Sequence, residues 1–188
     1  RIEIQTVVAF LPWPKQMEMV AEQWKACGIQ ADVKEFERTL AMTRANNNEH
    51  QMMVWTNGGT ELLYLFPRHA IPVDPTEAFM GPEFAKWYAS NGEQGRAPED
   101  EGLAKILELY QSAASQPEQE RYEIAQEIWK ILVDGQYSIG TVGQSAAFMG
   151  VRLVKNNLAN IPARVCIAQH CRTPGGSHPE TWYFTDAE

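Results

Sequence analysis

Two tryptophans and one glycine-rich polar turn carry most of the chemistry this chain offers. Trp55 is followed directly by Thr56, Asn57, Gly58 and Gly59. An indole presents a flat apolar face with a single N–H donor, and a side-chain amide adds both a donor and an acceptor. Two successive glycines let a bound molecule approach the backbone closely. Trp13 stands in a comparable setting, between Pro12 and Pro14. Arg68 and Tyr64 fall in a proline-rich segment where they could line a cleft, although a surface loop is the plainer reading of each. Stacking, hydrogen bonding and close backbone approach are the tools of reversible capture. None of them makes or breaks a covalent bond.

The groups that would do covalent work lack the company they need. The chain has no Gly-x-Ser-x-Gly elbow, no phosphate-binding loop and no dinucleotide Gly-x-Gly-x-x-Gly. His50, His69, His170 and His178 fall in expected loops or strand edges and read as solvated surface residues. Glu99, Asp100 and Glu101 precede a helix, where acidic charge favours the helix dipole without any acid–base role. Cys166, His170 and Cys171 have the donor atoms for zinc, but a second ligand pair at the usual spacing is missing. Cys27, near a helix end, reads as a small buried hydrophobe. The expectation is therefore no enzyme, no metal and no cofactor.

Charge narrows the partners. The 188 residues carry 16 Lys+Arg against 24 Asp+Glu, a formal net charge of -8. No basic run could displace counterions from phosphates, so nucleic acid is not an expected partner, and an anionic membrane surface is disfavoured. Uninterrupted apolar stretches are only a few residues long, which excludes a membrane-spanning helix. The opening RIEIQTVV looks like the middle of a strand and has no initiator Met, so a fragment of a longer protein is expected.

The elements that must position Trp13 and Trp55 follow from periodicity. Ile2, Ile4, Thr6 and Val8 share one face of a strand over residues 2–9. Met17, Val20, Ala21 and Trp24 recur at helical spacing behind the prolines, and Gly28 closes that helix. Residues 29–33 alternate as a second strand, Arg38–Asn46 forms a second helix, and the apolar run Gln51–Trp55 suits a strand buried on both faces. This strand–helix–strand–helix–strand order implies right-handed crossovers and a partly parallel sheet. Trp13 and Trp55 would then lie at the carboxyl ends of neighbouring strands, the edge where open α/β sheets bind ligands. Residues 56–101 read as a long loop with Pro67, Pro72, Pro75, Pro82 and Pro98. Two helices follow. One has the stripe Leu103, Ile106, Leu107, Tyr110, Ala113 and Ala114. The other opens on a capping box, Ser115-x-x-Glu118, and has the stripe Tyr122, Ala125, Ile128, Trp129 and Leu132, with Gly135 as its end. Tyr137–Val142 and Val151–Val154 read as strands.

The segment MVAEQWKACGIQADVKEF, followed by the buried run ending in Trp55, resembles the C-terminal lobe of extracellular solute-binding proteins of the peptide/nickel class, family 5, which serve ABC transporters. GPEFAKWY, RYEIAQEIWKILVDG, YSIGTVG and VRLVKNNLANIP extend the resemblance over nearly the whole chain. It implies an α/β, periplasmic-binding-protein-like lobe with a mixed sheet and flanking helices, part of a two-lobe protein that closes over its ligand. Residues 1–136 would be the ligand-binding lobe, and residues 137–188 the hinge and the returning segment that completes the other lobe. It further implies a periplasmic or extracellular location, an oligopeptide or oligosaccharide ligand and a membrane permease as partner. An oxidising compartment would permit a Cys166–Cys171 bridge. Peptide-binding members tend to follow the Trp of the third strand with an acidic Asp-Tyr-x-Asp-Pro segment. Here Trp55-Thr56-Asn57-Gly58-Gly59-Thr60 has no acid before Glu61, which removes the charge partner of a peptide ammonium and suits a neutral polyhydroxylated ligand. The site expected on these grounds is Trp55, Asn57, Gly58, Gly59, Trp13 and Arg68. The competing classes are a hydrolase lobe lacking its partner domain and a pure interaction module with a large exposed apolar patch.

Overall fold

The computed structural model describes residues 1–9, 11–56, 63–140, 154–163 and 177–185. Its first part is a three-stranded parallel sheet of order β2-β1-β3, with β1 at Ile2–Val7, β2 at Ala31–Phe36 and β3 at Met52–Met53. Helix α1 (Trp13–Ala26) connects β1 to β2, and α2 (Arg38–Asn46) connects β2 to β3. As the central strand, β1 pairs over its full length with β2, from Ile2 opposite Ala31 to Val7 opposite Phe36, and through Ile4 and Gln5 with β3. A parallel strand flanked on both edges and faces buries consecutive residues. Ile4, Gln5, Thr6 and Val7 are all buried, so the one-faced alternation expected of this strand gives way, and Val8 beyond its end is 66% exposed.

Buried polar groups need partners, and those of β1 knit α2 to the sheet. The Gln5 amide donates to the Ala41 carbonyl at 2.9 Å and accepts from Arg44 Nε at 3.0 Å, while Arg44 also reaches Glu3 at 2.7 Å. Thr6 donates its hydroxyl to the Lys34 carbonyl at 3.1 Å. Pro14 sits in the first turn of α1, and Gly28 adopts a φ of +83° just past its end. Glu37 caps α2 by accepting from the amides of Thr39 and Leu40, and those hydrogen bonds hold its carboxyl below the usual range. The run expected as a doubly buried strand is shorter than its apolar length suggests. Only Met52 and Met53 pair, half-buried, because among the described residues β3 is the sheet edge, with a neighbour on one side only.

The second part is helical. Helix α3 (Pro82–Ala89) lies within the stretch expected as loop, and α4 (Glu101–Ala113) and α5 (Glu118–Asp134) form a hairpin behind it. Ile106 and Ile128 are fully buried at the centre, with Ile71, Leu103, Leu107 and Leu132 around them. Leu109 joins this core although the one-stripe pattern left it out, and Tyr122, placed in the α5 stripe, is 60% exposed. The Ser115–Glu118 capping box does not form. Pro117 occupies the cap position without a side-chain bond, and the Ser115 hydroxyl turns back to the Ser112 carbonyl. Cys27 is exposed instead of buried, at the C-cap of α1 where the helix has run past its buried residues Trp13 and Met17. Of Tyr137–Val142, residues 137–140 lie in no strand, and 141–142 fall outside the described residues, as do Val151–Leu153, Cys166, His170 and Cys171. A two-stranded antiparallel ladder of Leu158–Ala159 (β4) with Tyr183–Phe184 (β5) was not anticipated. No helix among the described residues is long and apolar enough to cross a membrane.

The α4–α5 hairpin is fastened by Tyr137, whose hydroxyl donates to Asp100, the residue that caps α4 through the Leu103 amide. A Cβ at Gly102 or Gly135 would collide with the Tyr137 side chain, so both positions are small to admit it. The hydrogen bond to Asp100 pushes the Tyr137 phenol from 10.0 up to about 12, and it lowers Asp100 in return. The stabilisation from a raised phenol is complete below pH 10.0 and is lost as pH rises through about 12. That from the lowered carboxylate is present above its ordinary 3.8 and is lost as pH falls below it. Tyr64, Tyr88 and Tyr110 are raised by burial as well, so absorbance titration of the tyrosines is expected to show several late phenols, of which one moves back toward 10 in Asp100→Asn. If no phenol moves, the fastening does not exist in solution.

Candidate functional site

Trp13 and Trp55 meet at the carboxyl edge of the sheet. Trp13 begins the helix that follows β1, and the Val54 amide donates to the Gln5 carbonyl at 3.0 Å, extending the β3 ladder so that Trp55 emerges beside it. The ring centroids are 5.2 Å apart at 47°. Trp13 is buried against Val7 and Ala41, while Trp55 is half-buried at the margin of the same cluster. The expectation that neighbouring parallel strands deliver both indoles to one edge is met. The Arg38 guanidinium, from the first turn of α2, lies 5.4 Å from the Trp55 ring centroid, a cation–π contact that adds positive charge to this edge.

Beside Trp55 a cavity of about 430 Å³ runs along the open edge of β3, between the apolar face of α1 and the helical part of the chain. Its volume lies within the range of small-molecule sites. Met17, Trp24, Met52, Trp55, His69 and Phe79 contribute to its walls, with polar groups from Asn48, Gln51 and Gln136 between them. Thioethers and aromatic rings give such a wall apolar surface that adapts to the shape of its contents. A cavity of the same size between α1 and β2 is ringed by charges of both signs, including Glu18, Glu22, Lys25, Asp32 and Lys34, and holds none of the candidate residues.

The other candidates separate. Asn57, Gly58 and Gly59 lie outside the described residues. Arg68 stands on the 3-10 turn Pro67–His69 and does not line the cavity. Its Nε is 3.2 Å from Glu77 and its Nη1 is 3.8 Å from Asp74, and the guanidinium covers the Phe66 ring at 4.3 Å. These are charge contacts without full hydrogen-bond alignment, and they direct Arg68 to its own loop. Tyr64 is no surface residue: it stacks on Tyr110 at 5.8 Å, donates to the Arg121 carbonyl at 2.6 Å, and burial raises its phenol.

Two histidines and a phenylalanine belong to the site although sequence reasoning passed over them. The His69 side chain is only 7% exposed, contrary to its reading as a solvated residue. It stacks on Phe79 at 5.6 Å and meets Phe66 edge-on at 4.9 Å. His50 bonds the Phe79 carbonyl through Nε2 at 2.8 Å. A carbonyl only accepts, so Nε2 carries the proton. Phe79 itself reaches Trp55 at 5.5 Å. Its one local signal was the Gly81-Pro82 helix start two residues on, which announces α3 but says nothing about a partner 24 positions earlier in the chain.

No family model matches the sequence, and no curated protein sequence does either. Among solved structures the chain is similar to an oligopeptide-binding protein, OppA, with a TM-score of 0.73 and 24% identity, over 99% of this chain and 31% of that one. The chain thus spans about a third of the length of the structure it matches. At that identity the likeness concerns architecture: a parallel sheet with flanking helices, arranged as in one lobe of a larger solute-binding protein. The fold is therefore solute-binding-protein-like, similar to one part of that structure.

Proposed function

We propose that this chain is the ligand-binding lobe of a family 5 solute receptor, which captures an oligopeptide or oligosaccharide between two lobes outside the cytoplasm and hands it to an ABC permease. The observation that carries the reading is the Trp13–Trp55 pair at the carboxyl edge of β1 and β3, beside a cavity of about 430 Å³, in a lobe folded like part of OppA. In this role Trp55 supplies apolar contact, Trp13 supports it, Asn57 offers hydrogen bonds, and Gly58 and Gly59 allow close backbone approach. Arg68 braces the loop that carries the far wall. Residues 137–188 serve as hinge and returning segment. Binding is non-covalent and requires no cofactor.

The OppA likeness favours a peptide ligand, whereas the neutral stretch Thr56–Thr60 favours a polyhydroxylated one. Native mass spectrometry of the protein purified gently from its host separates them. Adduct masses stepping by a sugar unit assign the saccharide, and a spread of peptide masses assigns the oligopeptide. Protein that carries no adduct, and that neither a tripeptide nor a trisaccharide panel shifts in mass, would overturn the capture role.

A further inference from the structure

We infer that Phe79 is a positioning residue for Trp55, held in place through its backbone by His50; its consequence for ligand affinity rests on the capture role proposed above. Among the described residues β3 is an edge strand with only two paired residues, so the sheet and its helix α1 back the Trp55 ring on one side. That side is taken by Trp13 at 5.2 Å. On another, the Phe79 ring meets it at 5.5 Å and 51°, a tilted aromatic pair of favourable geometry. Phe79 is stacked in turn on His69, whose Nε2 is 3.8 Å from Glu77, so the ring is backed by the proline-rich segment. Its main chain is anchored across the cavity, because His50, two residues ahead of β3, donates to the Phe79 carbonyl at 2.8 Å. His50 Nδ1 is buried without a hydrogen-bond partner, so this single bond is what the imidazole supplies. Phe79 and His50 both line the cavity, and together they join its two walls at the level of Trp55.

The test uses the circular-dichroism exciton couplet of the Trp13–Trp55 pair, identified as the signal lost in Trp13→Phe. Phe79→Leu keeps an apolar side chain but removes the ring, and it is expected to shrink the couplet while helical content stays constant. His50→Leu should do the same. His50→Gln, whose amide Nε2 can donate from nearly the same place, should restore the couplet. Affinity for the tripeptide or trisaccharide panel should fall about threefold to tenfold in Phe79→Leu. A couplet unchanged in Phe79→Leu overturns the positioning role. Equal behaviour of His50→Gln and His50→Leu overturns the anchoring by His50. If the couplet responds as expected but the wild-type protein binds neither panel, Phe79 still positions Trp55 and it is the capture role that fails.

Discussion

Trp55→Ala is expected to weaken ligand binding by about tenfold or more while leaving the chain folded. Trp55 is half-buried at the edge of the sheet cluster and contributes to the cavity wall, so truncation removes ring area from the ligand side more than from the core. Trp13 behaves differently. It is 3% exposed, and its removal would empty the contact between α1, Val7 and Ala41, at the cost of about 3–5 kcal/mol typical of a buried tryptophan. A loss of binding in Trp13→Ala would therefore confuse unfolding with recognition, which is why Trp55 is the informative position. Calorimetric titration with the ligand found by native mass spectrometry, alongside a thermal melt, measures both quantities. Unchanged affinity would remove Trp55 from the site.

Ile128→Ala is expected to destabilise the protein by about 2–5 kcal/mol, a large share of the 5–15 kcal/mol that holds a typical domain together. Ile128 is fully buried in α5 and packs in the same core as Ile106 and Leu107 of α4. The loss combines the transfer of its carbons with the cavity they leave, because a close-packed helical hairpin relaxes only in part. Val133, on the same helix but 71% exposed, is the control: its alanine variant should stay within about 0.5 kcal/mol of wild type. Urea denaturation followed by circular dichroism reads both. Equal midpoints for the two variants would show that α4 and α5 do not share a buried core in solution.

The helices were largely written in local pattern. Arg38–Asn46 was expected as α2 and is found with the same bounds, and Gly28 closes α1 in the left-handed conformation its position asked for. Periodicity suffices there because a helix satisfies its own backbone and needs only one apolar face. The same reasoning misjudged surroundings. Tyr122 fits the apolar spacing of α5 yet is exposed, because the partner helix covers less than the whole stripe. The Pro-rich stretch hid α3, since its prolines and glycines mark breaks whether or not a short helix stands between them.

Local order, and the placing of both indoles at one sheet edge, could be read from composition and spacing because strand–helix–strand crossovers have one hand and β1 and β3 are brought together by it. The neighbours of Trp55 could not. Arg38 and Phe79 approach it from separate elements, and His50 and His69, which hold Phe79, stand in sequence environments that resemble ordinary surface loops. Burial of His69 and the return of Arg68 to Glu77 and Asp74 are likewise consequences of how the proline-rich segment packs between two cores. Spacing along a chain reports the period of one element. Which side chains face each other across two elements is settled by the packing of the whole molecule, where long-range contacts choose among loop conformations that are locally equivalent.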